Sequence, residues 1–127
     1  DFFQMEYEDR RVLRVPMNGP AVFKFAVSTF PKLIEQTLEK ACVDAHDVDH
    51  YICHQSNARI LTAARDRFGL PEDKFFINIG QRGNTVSASV PLILDELTQA
   101  GRVQEGQKIM LLGFGAGLTW ASSLWQI

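Results

Sequence analysis

The chain has 127 residues, 46% of them hydrophobic and 22% charged, which builds an ordinary globular domain and excludes disordered, collagenous and coiled-coil classes. A chain of this length hides about two-thirds of its unfolded surface on folding, enough for a real core. Thirteen Lys and Arg against fifteen Asp and Glu, a net charge of −2 and no basic block give no electrostatic footprint for nucleic acid or an anionic membrane.

Residues 1–10 lack both an initiating Met and the basic-then-apolar layout of a signal peptide, and read as the remnant of a preceding segment. Asn18-Gly19-Pro20 then supplies a cap, a flexible residue and a first-turn proline. From there apolar residues recur at helical spacing, which predicts a helix over 20–42 with a kink or break at Pro31. Val48–Cys53 is short and apolar enough for a buried strand, with His54 at its end. Ser56-Asn57 caps a second helix whose Ile60, Leu61, Ala64 and Phe68 share a face, and Gly69 with Pro71 stops it. A strand at 75–78 and a turn over Gly80–Thr85 follow. Val86 to Leu97 then builds a third helix ending at Gly101.

Lys108–Leu112 is a continuous apolar strand of the doubly covered kind, and Leu118–Trp125 returns antiparallel to it. The stretch Ile109–Ile127 carries no charge for nineteen residues. Its alternating Gly113, Gly115 and Gly117 nevertheless fit two strands around a turn better than one membrane helix. The order β-α-β-α-β-α-β-β predicts an α/β fold, a mixed, mostly parallel sheet covered by helices. Two cysteines, Cys42 and Cys53, in a chain that needs no staple point to a reducing cytoplasm.

In open α/β sheets ligand groups gather past the carboxyl ends of strands. Three segments reach that edge here: His54-Gln55-Ser56-Asn57, Gly83-Asn84-Thr85 and Gly113-Phe114-Gly115-Ala116-Gly117. An imidazole, a carboxamide and glycine-freed backbone N–H groups form a donor set suited to a developing oxyanion or enolate. Each has a plainer reading too. A histidine after a strand serves as a cap, Gly-Asn marks a turn, and glycines permit close backbone packing. His46, His50 and His54 are spaced four apart, but the residues around His50 read as strand, where four residues span about 13 Å, so no metal site is expected. Cys53 points away from the face of His54 and reads as core.

These residues carry a resemblance. Met17-Asn18-Gly19-Pro20-Ala21-Val22-Phe23-Lys24-Phe25-Ala26, His54-Gln55-Ser56-Asn57-Ala58-Arg59-Ile60, Gly83-Asn84-Thr85 and Gly113-Phe114-Gly115-Ala116-Gly117-Leu118-Thr119-Trp120 resemble the C-terminal half of the β-ketoacyl-acyl-carrier-protein synthase III family, within the thiolase-fold condensing enzymes. The resemblance makes 11–127 a C-terminal thiolase-like domain, one of two similar halves. It implies decarboxylative Claisen condensation of acyl-coenzyme A with malonyl-carrier protein in fatty acid biosynthesis. His54 and Asn84 would then donate to the malonyl thioester carbonyl, and the backbone N–H of Ala116 would serve an oxyanion hole. Lys24, Arg59 and Arg67 would dock the acidic acyl carrier protein.

It further implies a cytoplasmic homodimer with no permanently bound cofactor, whose substrates are acyl-coenzyme A and a phosphopantetheine-linked malonyl thioester. The nucleophilic Cys belongs to the N-terminal half, so this chain alone is expected to be inactive in condensation. Two alternatives stand beside this one. The first is a synthase III-like acyltransferase or starter-unit condensing enzyme of secondary metabolism. The second is a non-catalytic carrier-protein-binding module.

Overall fold

The computed structural model describes residues 6–9, 11–14 and 17–127. A short antiparallel hairpin, β1 (Glu6–Glu8) with β2 (Arg11–Arg14), lies on either side of residue 10. Helix α1 (Gly19–Ala41) starts where the sequence places it, because the Asn18 side chain accepts from Ala21 N–H at 3.1 Å and Pro20 occupies a first-turn position that needs no donor. Of the kink or break expected at Pro31, the break does not occur, and the helix is one element of 23 residues. Pro31 is buried beside Phe30, Leu33 and Ile34, so apolar packing offsets the backbone bond that proline removes. Cys42 ends the helix in a left-handed conformation, φ 53°.

The sheet has the order β3 (His50–Cys53), β4 (Lys108–Gly115), β5 (Thr119–Gln126). β3 runs parallel to β4, with Cys53 opposite Leu112, and β5 returns antiparallel as expected. The predicted strand at 75–78 is reduced to a single parallel bridge between Tyr51 and Phe75, held by the Tyr51 N–H on the Lys74 carbonyl at 2.7 Å. Beyond it the chain leaves the sheet, because the buried Gln55 side chain captures the backbone at Asn78 and Ile79. β4 outruns its predicted end at Leu112 by three residues, since Gly113, Phe114 and Gly115 stay paired with Ala121, Trp120 and Thr119.

Alternation along the strands sends Tyr51, Cys53, Met110 and Leu112 to one face, where they pack with Leu33, Ile34 and Leu38 of α1 and Leu61 and Ala64 of α2 (Ala58–Arg67). Ile52 and Ile109 meet Ile93 and Leu97 of the last helix on the other face. Between α2 and that helix lie the four-residue α3 (Ile79–Arg82) and a 3-10 turn, Val86–Ala88. Where the sequence predicts one helix from Val86, the α-helix proper, α4, is Ser89–Gln99. The cause is Val86, whose φ of 54° lies outside the right-handed helical region. The result is a helix–sheet–helix sandwich whose strand ends at Cys53 and Leu112 open on the same edge. Among the described residues, no helix is long and apolar enough to cross a membrane.

Candidate active site

His54 is the first residue past β3. Its backbone N–H donates to the Leu112 carbonyl at 2.8 Å, which ties the end of β3 to β4. Its half-buried ring meets two side chains. Nδ1 lies 2.7 Å from the Ser89 hydroxyl, and the ring edge meets Phe114 of β4 at a centroid distance of 5.9 Å. Burial lowers its pKa below the ordinary histidine value, while a backbone hydrogen bond with Val86 opposes the shift. Among the described residues Nε2 has no hydrogen-bond partner of its own, and it is the ring atom left for a ligand.

Asn84 reaches the same edge by a different route. Gly83 takes the positive φ, 73°, and Asn84 does not, so the left-handed position of the turn that Gly-Asn marks falls on the glycine. Its Oδ1 accepts the Val86 N–H at 2.9 Å, which fixes the carboxamide and leaves the Nδ2 hydrogens without an acceptor among the described residues. The two predicted residues are therefore connected: Asn84 to the Val86 N–H, the Val86 carbonyl to the Ser89 hydroxyl at 2.7 Å, and that hydroxyl to His54. Val86 is 70% exposed and β-branched at positive φ, a strained position retained where both of its backbone groups are engaged.

Ala116 sits in the turn joining β4 to β5. Its carbonyl accepts from the Thr119 hydroxyl at 3.2 Å, and its N–H has no partner among the described residues. Gly117 beside it has φ 140°, and a Cβ there would lie 2.8 Å from Thr119 Cγ2, so only glycine fits. An open apolar cleft of about 480 Å³ runs along β4 and β5, walled by Val90, Phe114 and Trp120. Phe114 thus borders both the cleft and the His54 ring.

The three predicted docking cations lie outside this cluster. Lys24 is exposed on α1, next to Phe25, whose ring packs on Trp120 at 5.4 Å. Arg59 and Arg67 are exposed at the two ends of α2, and Arg67 is paired with Glu35 at 2.7 Å. The thiols are elsewhere as well. Cys53 is fully buried, which pushes its pKa well up, and Cys42 is exposed at the end of α1.

Three residues of the site escape a sequence reading. Gln55, 0% exposed, donates to the carbonyls of Cys53 and Phe76 and accepts from the N–H groups of Asn78 and Ile79. Its one visible signal is its place between an apolar strand and a helix cap. Val86 and Ser89 read as an ordinary helix start, and nothing local announces that one is strained and the other buried against a histidine.

The sequence profile of the family described as "3-Oxoacyl-[acyl-carrier-protein (ACP)] synthase III C terminal" matches residues 38–127. A β-ketoacyl-[acyl-carrier-protein] synthase III of Synechocystis sp. is 48% identical over 110 residues, covering 87% of this chain and 33% of that protein. The crystal structure of the corresponding Thermus thermophilus enzyme superposes with a TM-score of 0.90 at 38% identity, covering 99% of this chain and 41% of that one. The priming β-ketosynthase of the R1128 polyketide biosynthetic pathway superposes with a TM-score of 0.79 at 36% identity, covering 89% of this chain and 34% of that one. The chain spans about a third of the length of the curated relatives it matches.

Proposed function

The chain belongs to the 3-oxoacyl-[acyl-carrier-protein] synthase III family, and from that premise we propose that it is the C-terminal, decarboxylating portion of a condensing enzyme of fatty acid biosynthesis. In this reading the malonyl thioester binds with its carbonyl oxygen at the edge where His54 and Asn84 meet. The bond between the malonyl C2 and its carboxylate breaks, carbon dioxide leaves, and the electron pair passes through C2 onto the thioester oxygen. The enolate then attacks the acyl group carried by a cysteine of the N-terminal half, and that cysteine leaves as thiolate. Hydrogen-bond donors fixed where the oxyanion grows lower this barrier because they need no reorganisation during the step. The observation that carries the reading is the hydrogen-bonded path from Asn84 through Val86 and Ser89 to His54, which immobilises one atom of each side chain and leaves Asn84 Nδ2 and His54 Nε2 for substrate.

The Ala116 N–H, unengaged in the hairpin turn, is placed to serve the acyl-transfer oxyanion, with its companion donor supplied by the N-terminal half. Of the three cations, Lys24 and Arg59 receive the carrier protein, Arg67 being paired with Glu35, and the working enzyme is a cytoplasmic homodimer of the complete chain. No cofactor is held permanently. Acyl-coenzyme A and the phosphopantetheine-linked malonyl thioester are substrates. Residues 1–127 alone form no acyl-enzyme, since Cys53 is inaccessible and Cys42 sits apart from His54 at the end of α1.

Malonyl-thioester decarboxylation by the full-length synthase containing this chain tests the proposal. Asn84→Asp keeps the acceptor for Val86 N–H and removes the Nδ2 donor. It is expected to lower the decarboxylation rate about 100-fold or more while the protein stays folded. Wild-type activity in Asn84→Asp would refute the assignment. The likeness to a priming ketosynthase supports one second reading, a starter-unit condensing enzyme of secondary metabolism, which the acyl-coenzyme A preference of the same full-length enzyme distinguishes.

A further inference from the structure

Ser89 is 3% exposed, and its Oγ lies 2.7 Å from two atoms at once, Nδ1 of His54 and the carbonyl oxygen of Val86. The backbone N–H of Gln55 also donates to it, at 3.3 Å. Contacts of 2.7 Å between such atoms hold a proton between them. The Val86 carbonyl has none to give, and the serine hydroxyl has one. Two short contacts therefore need two protons, of which the hydroxyl supplies the one that points at Val86. The other must come from Nδ1 of His54. The hydroxyl then donates once and accepts twice, from Nδ1–H and from Gln55 N–H, and is fully used.

We propose that Ser89 is a positioning residue that holds His54 in its Nδ1–H tautomer, so that Nε2 presents a lone pair to the site while the ring is neutral and donates only when the ring is protonated. This deepens the proposed function and rests on it for its kinetic consequence. Asn84 Nδ2 is then the neutral side-chain donor to the thioester oxygen, and donation from His54 belongs to the imidazolium. Among the described residues, the ring meets Phe114 of β4, Ser89 of α4 and the Val86 backbone of the 3-10 turn, none of them charged. The Val86 carbonyl also faces the ring, and it is itself held by the Ser89 hydroxyl, so Ser89 is the one side chain that ties it to the protonated nitrogen.

The test uses the full-length synthase containing this chain, with isotope-labelled histidine, and reads the ring-nitrogen chemical shifts of His54, assigned by their loss in His54→Gln. In the neutral ring the wild type is expected to show a protonated Nδ1 and a bare Nε2. Ser89→Ala leaves only the Val86 carbonyl at that nitrogen and is expected to weaken the preference measurably, to shift the pH profile of malonyl decarboxylation and to slow it about tenfold. Ser89→Thr, which keeps the hydroxyl, is expected to retain the tautomer and the profile. A wild-type His54 protonated on Nε2 overturns the proposal, as does Ser89→Ala with an unchanged tautomer and profile. Should Ser89→Ala fail to fold, the wild-type shifts alone decide. A wild-type enzyme that does not decarboxylate malonyl thioesters would refute the functional reading, whereas the tautomer stands or falls on the ring shifts alone.

Discussion

Burial disfavours the charged form of His54, partly against a backbone hydrogen bond with Val86, and this has a sign in stability as well as in catalysis. Its pKa in the folded protein lies below that of the unfolded chain, so on acidification the unfolded chain takes up the proton first. The stability held by neutral His54 is complete above about pH 6.5 and is lost as pH falls through the folded value. Thermal melts of the full-length protein across that range should therefore fall more steeply for the wild type than for His54→Gln, which has no proton to take up. Gly117 makes a second residue-scale prediction. Alanine there would have to hold φ 140° with its Cβ against Thr119 Cγ2 and backbone N. Gly117→Ala is expected to cost about 1–3 kcal/mol of stability, read from urea unfolding, and to disturb the hairpin that presents the Ala116 N–H.

At the scale of elements, the site hangs on Gln55 more than on any strand. One buried side chain bonds the end of β3 to the 76–79 segment through four contacts of 2.9–3.1 Å, and so delivers the loop that carries Asn84 to the edge that carries His54. Gln55→Leu would leave the N–H groups of Asn78 and Ile79 and the carbonyls of Cys53 and Phe76 without these partners. A loss of about 2–4 kcal/mol in unfolding free energy is expected, together with loss of decarboxylation, and Gln55→Glu should be no milder, since it sets a second oxygen against the Cys53 and Phe76 carbonyls in a fully buried site. The same residue explains where the sequence is legible. Helices α1 and α2 and strands β3 to β5 announce themselves because caps and apolar spacing are local signals, as at Asn18, Asn57 and the run Lys108–Leu112. The missing strand at 75–78, the unbroken helix through Pro31 and the strained Val86 are decided by partners far along the chain. No window of neighbouring residues contains Gln55 with Asn78, or His54 with Ser89. His54 and Asn84 were legible through motif resemblance, whereas the groups that orient them are visible only in three dimensions.

At the scale of the whole chain, a net charge of −2 offers an acidic carrier protein no general attraction, so in the proposed reading this chain's part in docking would come from local cations. The three candidates are not equivalent. Arg67 already faces Glu35 at 2.7 Å, and its charge is largely answered within the chain. Among the described residues Lys24 and Arg59 have no ion pair, and both are exposed. Lys24 also sits beside Phe25, which packs on Trp120 at the wall of the apolar cleft, so a carrier bound there would stand where its pantetheine arm can run toward Phe114 and His54. Exposed charges at the rim of an interface act chiefly on the association rate and its salt dependence. Lys24→Glu and Arg59→Glu are therefore expected to raise KM for malonyl-carrier protein about tenfold at low salt, and less once salt screens the charges. Arg67→Gln should change it little. KM for malonyl-coenzyme A, measured on the same variants of the full-length enzyme, should stay where it was, because that substrate brings the thioester without the acidic carrier surface. A parallel rise for both substrates would place these cations at the thioester arm instead of at the carrier.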